Sequence, residues 1–450
     1  MRLNQISSRC FAVAPALPDV AARAVMSDSE RARCLLLADY ETFAVGTIVQ
    51  HALALRDLST HNVALTNVAT LSRIKFDPDK YDVIVFHYSI VIANGFNIGP
   101  ALRQRLGKST ALKVLFIQDE YRWIDATAEA IRELGISVVF SVVNADIVDR
   151  VYHHDWLKKV RKESTLTGFV DEKLVRRTVP AYSARSVDVA YRARKVPYWL
   201  GSFAMEKWRI GEEFRKRVGE LGLSHDISSD EGARLYGESW IKFLTNTKSV
   251  LGTESGASVF DFSGSIRAGV EAAAIRDPDL KFETVQAEWL MDHDGKMAIH
   301  VISPRMFEAA ALRTLMINYP GTYSGRLIPW RHYVPLAKDH SNIDEVVRVI
   351  RDPERAERII EAAYREVACN PENSFRAMVA HFDRVVEEEL PSFKVGPRTL
   401  RNFRHGLELA SWADFYVRRF GRTARRAAWR AAKPVLPTRV VKRIEAKFIG

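Results

Sequence analysis

Short apolar runs alternate with amphipathic stretches along most of the chain. Residues 34–38, 62–66, 82–88, 113–117 and 137–143 are compact apolar runs and predict strands. Between them, the stretches around 44–56, 98–106 and 124–134 carry apolar residues at helical spacing. Strands separated by helices of about 10–15 residues need crossover connections, which give a parallel sheet covered on both faces. The alternation restarts after a basic, Pro-containing stretch at 176–185. A strand at 187–191 is expected there, then helices around 203–221 and 231–245, a strand at 249–252, and a helix at 265–274. A strand-to-helix unit at 300–312, a strand at 315–319, a helix opening at Ser341 and further helices to about Leu390 complete the pattern. The expected fold class is α/β, with two doubly wound, Rossmann-like domains facing a cleft and a basic helical tail. The boundaries read as a flexible leader at 1–30, an N-terminal domain at 31–180, a second domain at 181–393 and a tail at 394–450.

Composition supports this and narrows the class. The 450 residues are 47% apolar and 10% aromatic, enough for two or three cored domains and incompatible with wholesale disorder. Three cysteines (Cys10, Cys34, Cys369) with no C-x-x-C pair cannot build a disulfide framework or a structural zinc site, which points to a reducing, cytoplasmic compartment. The longest apolar stretch, at 83–96, is interrupted by His87, Tyr88, Ser89, Asn94 and Gly95, and is too short to span a bilayer. The leader, with Arg2, Arg9 and a short apolar run broken by Pro15 and ended by Pro18, reads as frayed and uncleaved.

Charge is unevenly placed. The net +11 sits in the tail, where fifteen Lys and Arg face three acids (Glu408, Asp414, Glu445), a balance of +12. The preceding chain, with 51 basic and 52 acidic residues, is near neutral. A basic partner surface therefore belongs to the tail alone.

In doubly wound sheets ligands bind outside the carboxyl ends of strands, so chemistry is expected in the loops that follow them. Ser303 suits a helix cap and Pro304 the first helical turn, so a helix start there aims free N–H groups at an anion. Arg305 offers a forked donor to a diphosphate, and Glu308, one turn on, an acceptor for ribose hydroxyls. The two residues equally suit an i,i+3 surface pair. In Lys248–Ser258, Gly252, Ser255 and Gly256 allow close backbone approach to phosphate, with Lys248 and Glu254 as the charged groups, or the segment is a plain solvated turn.

These segments, LGTESGASVFDFSG at 251–264, ISPRMFEAAALRT from Ile302 and HYVPLAKDHSNIDEV from His332, resemble the donor-nucleotide half of CgeB-like glycosyltransferases, which have the GT-B fold and a family 1/4-like donor domain. LFIQDEYRW from Leu115 and the Tyr191, Arg192, Arg194 stretch are similar to envelope-polysaccharide members of that group. The resemblance covers roughly 115–383. It implies a nucleotide-sugar donor in the second domain and a glycan or lipid-linked acceptor in the first. It further implies that Glu308 contacts the donor ribose and that Arg305 and Lys248 neutralise the diphosphate. Many retaining relatives carry a second glutamate eight positions before the first; here that position is His300, so the stereochemical outcome stays open.

Fixed cations and a helix start would stabilise the departing diphosphate, so no metal or other cofactor is expected; Asp292-His-Asp294 reads as a turn. The candidates for the base are Asp119 and Glu120, directly after a strand, and His87, which equally suits a packed core histidine. Tyr191, Arg192 and Arg194 either reach the donor phosphates or pair with acids of the facing domain. In the tail, Phe403, Leu407, Trp412, Phe415, Tyr416, Phe420 and Trp429 interleave with arginines, which fits an anionic membrane surface, or a helix packed on the first domain. No DNA-reading motif is present, so nucleic acid is not expected as a partner. The expectation is a peripheral enzyme on the inner face of the plasma membrane. The rivals are a nucleotide-sugar epimerase of the same fold and a non-catalytic sugar-nucleotide-binding scaffold.

Overall fold

The computed structural model describes residues 31–74, 76–393 and 403–432. The expected leader and the far end of the tail lie outside the described residues.

Two parallel sheets organise the chain. The first holds β1 (Arg33–Ala38), β2 (Asn62–Asn67), β3 (Val83–Phe86), β4 (Leu112–Phe116), β5 (Val138–Ser141) and β6 (Arg161–Ser164), in the order β2-β1-β3-β4-β5-β6. The second holds β7 (Val187–Arg192), β8 (His225–Ser228), β9 (Thr247–Gly252), β10 (Leu315–Asn318) and β11 (Val334–Pro335), in the order β11-β10-β9-β7-β8. Helices α1 (Gly46–Leu58), α2 (Pro100–Lys108) and α3 (Ile124–Leu134) cross over the first sheet. Around the second lie α4 (Ser202–Val218), α5 (Glu238–Asn246), α6 (Ser265–Arg276), α7 (Pro304–Ala311), α8 (Ile343–Arg351) and α9 (Pro353–Ala363). Central strands such as RCLLLA of β1 and VIVF of β3 are buried at every position, as strands covered on both faces require.

The expected two-domain α/β class holds, with local departures. The expected helix at 231–245 begins only at Glu238, because Gly237 turns the chain at φ 54°. The expected strand at 300 does not join the sheet. Val301 makes one antiparallel bridge to Ser255 instead. The polar strands β6 (RKES) and β8 (HDIS) carry no apolar run and were invisible to a periodicity reading.

Helix α10 (Phe375–Glu389) follows the second domain in sequence yet packs on the first sheet. Val379, Phe382, Val385 and Val386 join a core with Cys34, Leu36 and Val114. Its Asp383 accepts from Ser59 Oγ at 2.5 Å and from Thr60 N at 2.7 Å. This helix falls within the range 181–393 expected for the second domain, yet it is packed on the first sheet. Helix α11 (Phe403–Ala432) also lies on this domain, against β2. Cys34 is a buried free thiol.

The two sheets are joined by a clamp at the carboxyl end of β4. Asp261 N donates to Tyr121 O (2.8 Å) and Asp125 N to Phe262 O (3.1 Å). Trp123, left-handed at φ 51°, lies against Gly264, where a Cβ would come within 2.6 Å of the indole. Arg267 stacks on the same ring at 4.6 Å.

Candidate functional site

The carboxyl edges of both sheets face one cleft of about 640 Å³. The first domain contributes Thr42, Tyr88, Ser89, Gln118, Asp119 and Arg122, and the second Arg194, Lys207, Trp240, Ser255, Ser303 and Arg305.

The second-domain wall is cationic. α4 starts after Gly201 (φ 87°), its first turn held by the Asp294 carboxylate, which accepts from Ser202 N at 3.0 Å and Ser258 Oγ at 2.5 Å. The Asp292-x-Asp294 turn is thus a support for this helix. Along α4, Ala204, Lys207 and Gly211 share one face. At Gly211 a Cβ would meet the Tyr191 ring at 2.7 Å, so glycine lets the helix lie close to β7. This carries Lys207 to the cleft, where its Nζ donates to Ser255 Oγ at 3.1 Å. Burial, then the neighbouring Arg305 and Arg194 charges, lower the Lys207 pKa to about 8, against a partial pull upward from Asp119.

Arg305 follows Pro304 in the first turn of α7. Its guanidinium donates to the Arg192 carbonyl oxygen and lies 5.1 Å from the centre of the Trp240 ring. Ser303 is at the cap position in extended conformation, but its hydroxyl makes no capping bond. Arg194 is exposed to the cleft, and no hydrogen bond or ion pair engages its guanidinium among the described residues. Among the described residues, none of these three cations is paired with a carboxylate. The acids that line the cleft are Asp119 and Asp230. The first accepts from Tyr121 Oη (2.7 Å) and Arg122 Nη2 (3.0 Å), the second from Ser228 Oγ (3.3 Å).

Several expected site residues lie away from the cleft, or line it with their side chains engaged by other groups. Lys248 sits near the amino end of β9, the edge away from the cleft, in an ion pair with Asp188 at 2.8 Å. Arg192 turns its guanidinium to Asp226 (2.7 Å) and the Phe243 ring (4.6 Å), leaving only its carbonyl to Arg305. Tyr191 is buried, with its hydroxyl on Lys207 O at 2.6 Å. Glu254 is buried and accepts from Tyr323 N (2.6 Å) and Thr322 Oγ1 (2.8 Å), with His300 Nδ1 at 3.4 Å. Burial pushes its pKa up, but these donors outweigh it and hold the carboxylate below its usual range. Gly256 lines the cleft beside Ser255 and, at φ 138°, has its missing Cβ directed at the Ile299 backbone, so a glycine is also required for the loop's own packing. Glu308 accepts from Trp240 Nε1 at 2.7 Å and supports that lining indole without lining the cleft itself; burial raises its pKa.

Of the three candidate bases, only Asp119 faces the cleft, held left-handed at φ 59°. Glu120 is buried, accepting from Ser141 Oγ (2.6 Å), Val142 N (3.0 Å) and the Tyr152 hydroxyl, and burial raises its pKa to about 7. His87 is fully buried, its Nε2 3.1 Å from His51 Nδ1. Ser89 N donates to His87 Nδ1 at 3.1 Å, so the ring proton is on Nε2 and is given to His51. Burial, then for His87 the neighbouring His51, keeps both imidazoles neutral, with His51 lowered to about 3.

This pair makes stability acid-sensitive. The unfolded histidines bind protons below about pH 6.5 while the folded ones do not. Stability is therefore present above that value and lost as pH falls through it, each imidazole contributing up to about 1.4 kcal/mol per pH unit. Denaturant unfolding between pH 7.5 and 5.5 should show this decline; a flat profile contradicts the neutral pair.

Lys207 and Trp240 were not anticipated from the sequence. Both lie inside helices, Lys207 in the middle of α4 and Trp240 in the first turn of α5, and no phosphate-type loop motif marks either.

No family model matches the chain, and no curated protein matches it. Among solved structures it is similar to an alpha-glucosyltransferase in complex with UDP and a 13-mer DNA (10% identity, 78% of this chain and 98% of that one, TM-score 0.47). It is also similar to T4 phage BGT in complex with its UDP-glucose substrate (12%, 79% and 98%, TM-score 0.42) and to an alpha1,3-fucosyltransferase (13%, 81% and 92%, TM-score 0.39). Likenesses this loose carry no weight for function. They give the narrower CgeB-like resemblance no support either, so the functional reading rests on the cleft.

Proposed function

We propose that the chain is a GT-B-type glycosyltransferase that moves a sugar from a nucleoside diphosphate donor to a hydroxyl-bearing acceptor. The observation that carries this is the wall formed by Arg194, Lys207 and Arg305, three cations gathered with no carboxylate partner among the described residues. Elsewhere in the fold cations such as Arg33 and Lys248 pair with Asp82 and Asp188, and the lone buried cations Lys113 and Arg185 are each met by two or more carbonyl oxygens and do not cluster. Like charges held together in a half-buried place are costly unless an anion joins them, and burial first, then the Arg305 and Arg194 charges, lower the Lys207 pKa.

In this reading the diphosphate lies against Arg194, Lys207 and Arg305, with Ser255 and Ser303 hydroxyls as further donors. The bond from sugar C1 to the phosphate oxygen breaks, and its electron pair leaves on the diphosphate, where the cations stabilise it. The acceptor oxygen bonds to C1 and yields its proton to Asp119. The cationic wall supplies the charge that a divalent ion would otherwise bring, so we read the reaction as metal-independent. The acceptor is a glycan or lipid-linked glycan of the cell envelope.

The test measures nucleoside diphosphate release from a panel of nucleotide sugars with glycan, lipid-linked and DNA acceptors, with and without EDTA. Asp119→Asn is expected to lower kcat about 10²–10⁴-fold with the donor KM little changed. Unchanged turnover in that variant removes Asp119 as the base. Sugar interconversion without acceptor favours an epimerase, and donor binding without release under any acceptor favours a scaffold.

A further inference from the structure

We propose that the outward face of α11 docks the protein on an anionic lipid surface. The inward face of this helix is fixed to the body. Ser411 and Phe415 are buried, and Trp412 and Phe415 lie 4.5 and 5.9 Å from the Tyr40 ring. Its two acids point inward as well. Glu408 accepts from Leu65 N at 2.9 Å, and Asp414 accepts from Thr70 Oγ1 at 2.7 Å and pairs with Arg418 at 2.8 Å.

The outward face is apolar where a water-facing helix would be polar. Leu409 (68%), Tyr416 (59%), Val417 (71%) and Phe420 (77%) are all exposed. At 100° per residue, positions 409, 416 and 420 fall within about 40° of one another, so they form one stripe along the helix. The same helix continues through Arg422, Arg425, Arg426 and Arg430, and no acid lies between Asp414 and Glu445.

The combination selects the occupant. A nucleic acid would match the arginines but gain nothing from Leu409, Val417 and Phe420. A second copy would cover the stripe but bring its own arginines against these. An anionic bilayer satisfies both, burying the stripe at the acyl boundary while the arginines meet headgroups.

Docking also has a consequence for the cleft. Phe43 packs on Trp412 at 6.2 Å, and its neighbour Thr42 lines the first-domain wall. A docked α11 therefore brings the acceptor side of the cleft close to the lipid, which suits a lipid-linked acceptor; this clause alone rests on the transferase reading.

The experiment is flotation of the full chain with vesicles of phosphatidylcholine alone and with about one-third phosphatidylglycerol. The chain is expected to float with the anionic vesicles only, and less at high salt. Leu409→Glu with Phe420→Glu should lower partition at least tenfold, and Arg422→Glu with Arg425→Glu and Arg426→Glu should do the same. Both variants should keep the parent's affinity for UDP, which separates loss of docking from misfolding and from failure of the donor site. Absence of flotation, equal flotation of the variants, or equal binding to neutral vesicles overturns the proposal. So does a dimer, or a DNA complex in gel shift, that the Leu409/Phe420 variant abolishes while flotation persists.

Discussion

Replacing Lys207 and Arg305 together, as Lys207→Met and Arg305→Gln, is expected to weaken nucleoside diphosphate binding by about a hundredfold or more. Each side chain can donate a charge-assisted hydrogen bond to the diphosphate, worth about 1.5–3 kcal/mol, so two amount to at least about 3 kcal/mol of affinity. Neither change should unfold the protein. Lys207 is bonded only to the Ser255 hydroxyl and Arg305 to a carbonyl oxygen, so no buried carboxylate is left unpaired. Removing Lys207 also relieves repulsion within the free wall, so the variant should melt at or above the parent's temperature. Loss of binding with retained stability marks a ligand site; loss of both would make the two cations structural. Calorimetry with UDP beside a thermal melt separates the outcomes.

The second large effect is on stability. Gly256→Ala is expected to cost roughly 2–4 kcal/mol and lower the melting temperature by about 5 °C or more. The position has φ 138°, where an L side chain is strained, and its Cβ would enter the Ile299 carbonyl group. That carbonyl cannot retreat cheaply. Ile299 N donates to Ala257 O at 3.0 Å, and Ser255 and Val301 exchange two bonds at 2.8 and 3.0 Å. Gly295→Ala is the matched control. It also has a positive φ, of 79°, but nothing lies within 4 Å of its Cβ, so it should cost only about 1 kcal/mol. Equal effects of the two substitutions would mean that the clash at Ile299 is not the cause. Because Ser255 is the partner of Lys207, the Gly256 variant should also bind UDP less well.

Both effects bear on what the sequence discloses. Alternation of apolar runs with helical stretches was sufficient for two parallel sheets, because buried parallel strands are near-continuous apolar runs, β3 at every position and β1 at every position after Arg33. It failed at β6 and β8, whose polar RKES and HDIS are edge strands held by backbone pairing to one neighbour. It also misplaced α10, since an amphipathic helix states that it will be buried and not against which sheet. The site was legible where chain chemistry is local. Arg305 beside Pro304, Asp119 at a strand end and Arg194 in the loop after β7 all reach the cleft. It was not legible for Lys207, brought there by the packing of Gly211 on Tyr191. Nor could it assign Lys248, whose strand end was right in composition and wrong in direction. Glu120 and Asp119 are adjacent and chemically alike. Only the three-dimensional turn at φ 59° decides which faces solvent and which is buried against Tyr152.

The most direct test of the cationic wall is proton uptake on binding UDP, read by calorimetry in buffers of different ionisation enthalpy. With the Lys207 pKa at about 8 in the free protein, a diphosphate beside it raises that value. About half a proton should be taken up at pH 8, and affinity should fall by up to tenfold per pH unit above it, until the raised value in the complex is passed. Lys207→Met should abolish the uptake. Affinity that is level from pH 7 to 9.5 with no proton exchange, or no binding of UDP or any other nucleoside diphosphate, contradicts the account.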